Sequence, residues 1–437
     1  MIINSPPPPR NVTVSLICVE TVTSFVKPRK FPFLFFLKIC SFISTVTSQL
    51  GTRELSSPQR RIAAQNSMFL SFIYWYFIKY QRCLSFKVYR CVGLSKTHEK
   101  PSLASTLFFD PFVQVLTGMA HIRKEHWDCD PFEAKKMENG DIYARGSQDM
   151  KCVGIQYIEA IRRLISDGKR MMRTIHMTFV PDEEIGGDLG MGKFTKTEDF
   201  RNLNVGFGLD EGLANPTEKF SLYHGERAVW WVEVNCVGQP GHGSQFIQDT
   251  AAVKLQKVLT AFLNYRDQEE ARAKKSGKLG DVNTPNLTYL SGGVAKNVVP
   301  SNLTLLFDLR VSPDTTPEDM VKKLDELVAM GGSGVSYKLL RKDISYTTPL
   351  GDDNAWWKTF KKACEKEKVD LHIEIFPAGT DSKYLRALGI PCFGFSPMNN
   401  TPILLHDHNE YLNEDIFLHG ISIYETIITD IANVPDA

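Results

Sequence analysis

The chain has 437 residues, of which 43% are hydrophobic and 23% are charged, so it is long enough for two or three folded domains. Its formal net charge of +1 argues against a general electrostatic affinity for nucleic acid or for an acidic membrane surface. The charge is uneven, because residues 1–117 contain 14 basic and 4 acidic side chains. The rest of the chain therefore carries a net negative charge.

The cysteines and the hydropathy of the chain indicate in which cellular compartment the protein is expected. The nine cysteines form no Cys-x-x-Cys pair, which favours reduced thiols over a disulfide framework or a thiolate metal site. The apolar stretch Phe31–Val46 is interrupted by Lys38 and is shorter than the ~20 residues that a membrane span needs. We therefore expect a cytoplasmic protein, with a membrane anchor through Phe31–Val46 as the competing interpretation.

In chain order, the first segment has no clear periodicity. Residues 1–117 contain the aromatic clusters FPFLFF and FIYWYFIKY, which follow neither the helical nor the strand period. We assign this segment no elements and no function. From about Lys124 the sequence is typical of an α/β domain, with a predicted helix that stops at Gly168 and a predicted strand at 174–180.

The middle of the chain has the element order strand, helix, strand, strand, helix, strand. This βαββαβ order is that of a ferredoxin-like unit. The predicted elements are residues 230–237, 250–272, 286–290, 302–311, 317–330 and 335–340. After about Tyr346 the chain is predicted to return to the first domain, so the pattern indicates an inserted domain within a split one.

Four turns carry residues that can bind a metal ion. They hold Asp149 in ARGSQDMK, Glu183 and Glu184 in FVPDEEIGG, Asp210 in GLDEG, and His406 in LLHDHNE. Taken singly, an Asp before a helix is usually a cap, an acidic pair after a strand is usually a solvated turn, and a lone His is usually structural. Together, carboxylates and an imidazole suit Zn²⁺, and a bridging carboxylate can hold two ions ~3.5 to 4 Å apart.

Eight segments in order make residues 124–437 resemble the M20 family of metal-dependent peptidases and amidohydrolases. They are KEHWDCDPFEA, IYARGSQDMK, RTIHMTFVPDEEIGG, GLDEGLANPTE, GHGSQF, GGVAKNVVPSNL, GTDSKYLRALGIP and FSPMNNTPILLHDHNEYL. The resemblance implies an α/β fold with a zinc-peptidase-like catalytic domain, a mixed sheet with helices on both faces, and an inserted ferredoxin-like lid that also dimerises. The expected segments are 1–117 (unassigned), 118–225 (catalytic), 226–345 (lid) and 346–437 (catalytic).

The resemblance also implies roles for the residues of the four turns. Asp149 would bridge two zinc ions, Glu184 and His406 would complete one site, and Asp210 would belong to the other. Glu183 would be the general base that takes a proton from the attacking water. Such a carboxylate can then return the proton to the departing amino group.

Further implied residues lie outside the acidic turns. His242 matches a lid histidine that reaches the active site of the partner subunit and helps to stabilise the tetrahedral oxyanion. Asn297 and Arg310 match lid positions that hold the α-carboxylate of the substrate, as expected for the pairing of a guanidinium with a carboxylate. Gly379 begins the GTDS turn, which matches a loop on the substrate side. A homodimer is implied because the lid histidine acts across subunits.

Two details of the motifs decide the metal ligands. His406 is preferred to His408 because it opens the H-x-x-N-E arrangement of the family, which Asn409 and Glu410 complete.

The His-x-Asp motif that the family places upstream of KEHW is absent. Counting back from Trp127 puts Leu116 and Gly118 at its two positions, and neither side chain can bind a metal.

Two interpretations of this absence remain open. In one, residues 1–117 are a mispredicted start attached to a normal catalytic body; in the other, the chain is an impaired paralogue. The expected activity is zinc-dependent hydrolysis of N-acyl-L-amino acids to a carboxylate and a free amino acid, impaired in this chain. The alternative is an inactive dimer that binds acylated amino acids.

Overall fold

The computed structural model of the chain describes residues 10–11, 14–18, 104–109, 124–180 and 182–435. The chain forms two compact units, residues 1–204 with 403–437, and residues 205–402. Among the helices of the described residues, none combines the length and the hydropathy that crossing a bilayer requires. The stretch Phe31–Val46 lies outside the described residues, and the predicted domain segments stay a prediction.

The two units contain short and long elements. The strands in chain order are β1 (Arg10–Asn11), β2 (Val14–Cys18), β3 (Ala104–Phe109), β4 (Lys135–Lys136), β5 (Asp141–Tyr143), β6 (Arg170–Met171), β7 (Ile175–Phe179), β8 (Val205–Asp210), β9 (Phe220–Glu226), β10 (Ala228–Val237), β11 (Gly241–His242), β12 (Thr284–Gly292), β13 (Val298–Val299), β14 (Asn302–Val311), β15 (Val335–Lys342), β16 (Leu371–Phe376), β17 (Cys392–Phe395) and β18 (Tyr411–Asn413). The α-helices are α1 (Lys151–Ser166), α2 (Met191–Phe194), α3 (Glu198–Leu203), α4 (Ala251–Ser276), α5 (Pro317–Ala329), α6 (Ala355–Lys366), α7 (Ser382–Arg386) and α8 (Glu414–Ile431).

The first unit is built on parallel strands. β7 pairs in parallel with β2 on one side and with β3 on the other. Four of the five β7 side chains are buried, as expected for a strand that is covered on both faces. No element was expected in residues 1–117, whereas the described backbone of this segment forms β1, β2 and β3.

Helices α1 and α8 pack together in the same unit, with the rings of Tyr157 and Tyr424 at a centroid distance of 4.2 Å. α1 ends at Ser166, close to the predicted stop. Gly168 there has a φ of +64°, and the amide of Lys169 donates to the carbonyl of Leu164 at 3.0 Å. A left-handed glycine is a common way to end a helix, because it lets the next amides reach the last free carbonyls.

The second unit contains a mixed sheet with the order β16, β9, β17, β8. β16 and β9 are parallel, β17 and β9 are antiparallel, and β17 and β8 are parallel. Phe393 of β17 packs edge-on against Phe207 of β8 and against Trp357 and Phe360 of α6. The predicted α/β class with a mixed sheet is therefore confirmed.

The ferredoxin-like unit lies within residues 205–402 with the predicted element order. Its four strands form an antiparallel sheet in the order β12, β14, β10, β15. Helix α4 lies between β10 and β12 in the chain, and helix α5 lies between β14 and β15. Trp230, Val232 and Val234 on β10 are buried at every second position, which is the period of a half-buried strand. Phe262 of α4 stacks on Phe307 of β14 with centroids 3.9 Å apart.

Candidate metal centre and active site

Three of the predicted metal ligands meet in the first unit. The Nε2 atom of His406 lies 3.0 Å from Oδ2 of Asp149 and 3.0 Å from Oε2 of Glu184. One ligand atom from each of these residues lies within 4.8 Å of the others. In the part of the chain that the structure describes, this is the one such group of three His, Cys, Asp or Glu side chains. Two carboxylates and an imidazole are a ligand set that Zn²⁺ accepts.

Asp149 stands at the end of a tight loop that precedes α1. Gly146 in this loop has a φ of +90°, and a Cβ atom there would lie 2.7 Å from the Cδ of Lys151. Glycine therefore meets both a conformational and a steric need at this position. Burial lowers the pKa of Lys151 to about 8. The loop holds the Asp149 side chain 19% exposed, so that its carboxylate can face a ligand.

Glu183 and Glu184 lie on a single 3-10 turn after β7. The turn is held by the buried Asp182, whose Oδ2 accepts hydrogen bonds from the amides of Leu189 at 2.7 Å and Gly190 at 2.9 Å. Glu183 and Glu184 are both half-buried, and the Glu184 side chain, which is 10% exposed, reaches His406. One turn therefore presents two adjacent carboxylates, of which Glu184 contacts His406.

His406 is held in an unusual backbone conformation. Its φ is +61°, which is uncommon for a residue with a side chain, although His adopts it more readily than most. The hydrogen bonds that the His406 ring donates to Asp149 and then to Glu184 raise the pKa of His406 to about 10. A divalent cation shared by the three side chains would supply the positive charge that the imidazolium supplies and would leave the ring neutral. The residues therefore fit a metal ion.

Asp210 lies in the second unit at the end of β8 and is buried. Its Oδ2 accepts from the amide of Ser382 at 3.0 Å and from its hydroxyl at 2.7 Å, and its Oδ1 accepts from the amide of Glu211 at 3.1 Å. In these bonds Asp210 anchors the GTDS turn that begins at Gly379. Its role as a metal ligand stays a prediction, and the buried Glu211 is a second candidate that the sequence analysis did not name.

His242 and Asn297 approach each other in the second unit. They lie on and beside the paired strands β11 and β13, and the Nδ2 of Asn297 is 3.5 Å from the Nε2 of His242. The Nδ1 of His242 is 2.8 Å from the hydroxyl of Ser244, which fixes the ring. Arg310 on β14 forms a two-pronged pair with Asp308, at 2.7 Å and 3.2 Å. Their predicted substrate contacts stay predictions.

Leu116 and Gly118, the positions counted for the missing His-x-Asp motif, lie outside the described residues. The predicted second metal site therefore stays a prediction. The sequence analysis also passed over three side chains that hold the ligand loops, namely Asp182, Arg145 and Glu410. Glu410 was visible as the last member of the H-x-x-N-E arrangement, but nothing in its spacing indicated which atoms it would contact.

Comparison with known proteins places the chain in one family. The sequence profile of peptidase family M20/M25/M40 matches residues 121–430. The chain is 51% identical to aminoacylase-1 from Mus musculus over 338 residues, which are 77% of this chain and 82% of that protein. It is 48% identical to aminoacylase-1 from Homo sapiens, over 73% of this chain and 79% of that protein. Aminoacylase-1 from Dictyostelium discoideum is 43% identical, over 80% of this chain and 89% of that protein.

Solved structures with low sequence identity share the fold. An M20 family metallo-carboxypeptidase from Sulfolobus solfataricus superposes with a TM-score of 0.58 at 15% identity, covering 77% of this chain and 86% of that one. A dinuclear metal-binding peptidase of the M20 family from Bacillus subtilis gives a TM-score of 0.51 at 15% identity, covering 76% and 82%. The ordered motifs, the fold and the profile match agree, and the chain belongs to peptidase family M20/M25/M40.

Proposed function

We propose that the chain is a zinc-dependent amidohydrolase that converts N-acyl-L-amino acids into a carboxylate and a free L-amino acid. The observation that carries the proposal is the cluster of Asp149, Glu184 and His406, with their ligand atoms within 4.8 Å of one another. The substrate class follows from the relatives called aminoacylase-1 at 43–51% identity. Family membership alone would support only a metal-dependent peptidase or amidohydrolase.

The proposed reaction divides the work among the side chains of this chain. Asp149, Glu184 and His406 would hold the zinc ion, which would lower the pKa of a bound water toward 7 and polarise the amide carbonyl. The Glu183 carboxylate takes a proton from the attacking water as its oxygen bonds to the carbonyl carbon. When the carbon–nitrogen bond breaks, Glu183 gives that proton to the departing amino nitrogen. In the proposed dimer, His242 would donate a hydrogen bond to the oxyanion that forms in between in the active site of the partner subunit.

Substrate orientation is assigned to residues of the second unit. Arg310 is already aligned by Asp308, and its remaining donors suit the α-carboxylate of an acylated amino acid. Asn297 offers a neutral amide beside His242. Gly379 is proposed to lie on the substrate side of its turn, where a Cβ would lie 3.3 Å from Oε2 of the buried Glu226. These contacts would select amino acids with a free carboxylate and a blocked amine.

A cytoplasmic homodimer is part of the proposal. Support for dimerisation comes from the ferredoxin-like unit, whose edge strand β12 exposes 58% of Tyr289 and 51% of Leu290. These two successive side chains point to opposite faces of the strand, and an edge strand presents unpaired backbone groups with which a second copy of the chain could pair. Support for a reducing compartment comes from Cys129, Cys152, Cys236, Cys364 and Cys392, which are free thiols.

An inactive binding protein is the second candidate. It is favoured by Leu116 and Gly118, which stand where a metal-binding histidine and its aspartate are expected. The described ligands can hold one metal ion without that motif. A chain with one metal site and an intact lid would bind acylated amino acids without turning them over.

Measuring bound zinc and substrate turnover on the whole chain distinguishes the two candidate functions. We expect bound zinc by metal analysis and release of methionine from N-acetylmethionine. Glu183→Gln should keep the zinc and lower turnover by about 10²- to 10⁴-fold, because it removes the general base. Glu184→Gln should lose both zinc and turnover. Glu365→Gln, an exposed change on α6, is the control that should alter neither.

The outcomes distinguish the hypotheses. Zinc bound at about one ion per chain, with N-acetylmethionine binding but no methionine released, would support the inactive dimer. Absence of both bound zinc and turnover would contradict the metal-dependent function altogether.

A further inference from the structure

The carboxylate of Glu410 is the centre of a buried hydrogen-bond network beside the metal cluster. Glu410 is fully buried, and its Oε2 accepts from Nη1 of the buried Arg145 at 2.6 Å. Its Oε1 accepts from the backbone amides of Gly146 at 3.1 Å, Gln148 at 2.7 Å and Asp149 at 3.2 Å. One carboxylate therefore holds almost the whole loop that ends at Asp149.

Further bonds join the same two loops, which are residues 144–149 and residues 404–411. The amide of Ala144 donates to the carbonyl of Glu410 at 3.1 Å, and Nη2 of Arg145 donates to the carbonyl of Asp407 at 2.8 Å. The Gln148 side chain makes two more bonds: its Nε2 donates to the carbonyl of Tyr411 at 2.8 Å, and its Oε1 accepts from the amide of Leu404 at 3.0 Å. Asp149 lies on the first loop and His406 on the second.

This network does more than pack the two loops together. Removing a carboxylate from water costs several kcal/mol unless charged and polar donors replace the water, which is what Arg145 and the three amides do. Hydrogen bonds to an ionised acceptor are about twice as strong as neutral ones, so they fix the loop backbone firmly. Because its oxygens already face these donors, Glu410 has a different role from the ligands Asp149 and His406.

We propose that Glu410 is a positioning residue of the metal site, which sets the distance between Asp149 and His406 by fixing the backbone of both loops. The proposal rests on the metal site of the proposed function, but it does not require turnover. Neither loop has regular secondary structure around its ligand, since His406 lies in a turn and Asp149 in a bend. Their geometry therefore depends on bonds between the loops.

The experiment compares Glu410→Gln with Glu414→Gln. In Glu410→Gln an NH₂ group replaces one oxygen and must face either Arg145 or the loop amides, so that a donor meets a donor. Glu414 lies four residues on, at the exposed start of α8, where it pairs with Lys136. Loss of a residue that orients metal ligands typically lowers metal affinity 10- to 100-fold. We expect that loss for Glu410→Gln and unchanged zinc affinity for Glu414→Gln.

Two readouts separate positioning from general stability. Zinc affinity is measured by competition with a chromophoric chelator on protein that circular dichroism shows to be folded. Co²⁺ is then substituted, and its visible absorption spectrum reports the ligand geometry. A positioning role predicts weaker zinc binding and an altered cobalt spectrum in folded Glu410→Gln. Lower thermal stability with wild-type zinc affinity and cobalt spectrum would overturn the proposal.

A second variant decides the matter if Glu410→Gln does not fold. Gln148→Met keeps the volume of the side chain and removes its bonds to Leu404 and Tyr411, so we expect zinc affinity to fall about 10-fold, the lower end of the usual loss for groups that orient metal ligands. Folded Gln148→Met with wild-type affinity would then overturn the proposal. Zinc binding by the wild type without turnover would contradict only the hydrolase function, whereas no zinc binding by the wild type would overturn both.

Discussion

His176 on β7 links the stability of the first unit to pH. The side chain is 7% exposed, and burial lowers its pKa to about 4. In the unfolded chain the pKa of His176 returns to about 6.5. Below pH 6.5 the ring is therefore protonated in the unfolded state while it stays neutral in the folded state. The stability contribution of the neutral ring is therefore present above pH 6.5 and is lost as the pH falls toward 4.

We expect the free energy of unfolding of the wild type to fall, between pH 7 and pH 5, by about 2 kcal/mol more than that of His176→Gln. Denaturant titrations at both pH values measure this difference. His419→Gln on the exposed side of α8 is the control and should keep the wild-type pH dependence. An equal pH dependence in His176→Gln and the wild type would contradict the expectation.

Individual site residues differed in how far the sequence could predict them. The family motifs named Asp149, Glu184 and His406, and the structure brings these three together. Glu410 and Asp182 could not be assigned from spacing, because their partners are backbone amides of loops whose conformation the sequence does not state. Residue types therefore indicate the ligands, whereas the groups that hold the ligands become visible only in the fold.

At the scale of elements, the aromatic stack between α4 and β14 is the centre of the ferredoxin-like core. Phe262 and Phe307 are each about 1% exposed and lie nearly parallel, at 11°. Buried Phe→Ala changes typically cost 3–5 kcal/mol, because both transfer free energy and packing are lost. We expect Phe262→Ala to lower the free energy of unfolding by about that amount, measured by urea denaturation.

The neighbouring Leu263 supplies the matched control for this change. Its side chain is on the same helix and 45% exposed, so Leu263→Ala should cost less than about 1 kcal/mol. Similar losses for Phe262→Ala and Leu263→Ala would show that the stack contributes little beyond ordinary helix packing.

Elements with a strong local signal were predicted well, and elements that depend on distant partners were not. The helix predicted at 317–330 is observed as Pro317–Ala329, because Thr316 caps it by accepting from the amide of Asp319. The helix predicted at 250–272 extends to Ser276 and ends at Gly277, with a φ of +72°. The last turn of this helix is polar, so the helical spacing of apolar residues does not extend through it. Strands β11 and β13 have two residues each and exist only through their mutual pairing.

On the scale of the whole molecule, the three metal-binding side chains are neighbours in space although they are far apart in the sequence. Asp149 and Glu184 come before the residue 205–402 unit, and His406 comes directly after it. The first unit is therefore closed by a carboxyl-terminal segment that supplies both a ligand and α8. The element pattern led us to expect a return of the chain to the first domain after about Tyr346, and that boundary stays a prediction. The contacts that determine the compact units could not be derived from the motifs alone.

This arrangement makes metal binding a property of the folded chain. The three ligands are far apart in the sequence, so an unfolded chain gathers them rarely and binds zinc weakly at this site. A ligand that binds only the folded state stabilises it by about 2.7 kcal/mol when its free concentration is 100 times its dissociation constant. We therefore expect zinc at that excess to raise the free energy of unfolding by about 2.7 kcal/mol, and a chelator to reverse the gain. Thermal and urea unfolding with and without zinc measure it, and Glu184→Gln should show almost no gain; a gain as large as that of the wild type would mean that zinc stabilises the chain elsewhere.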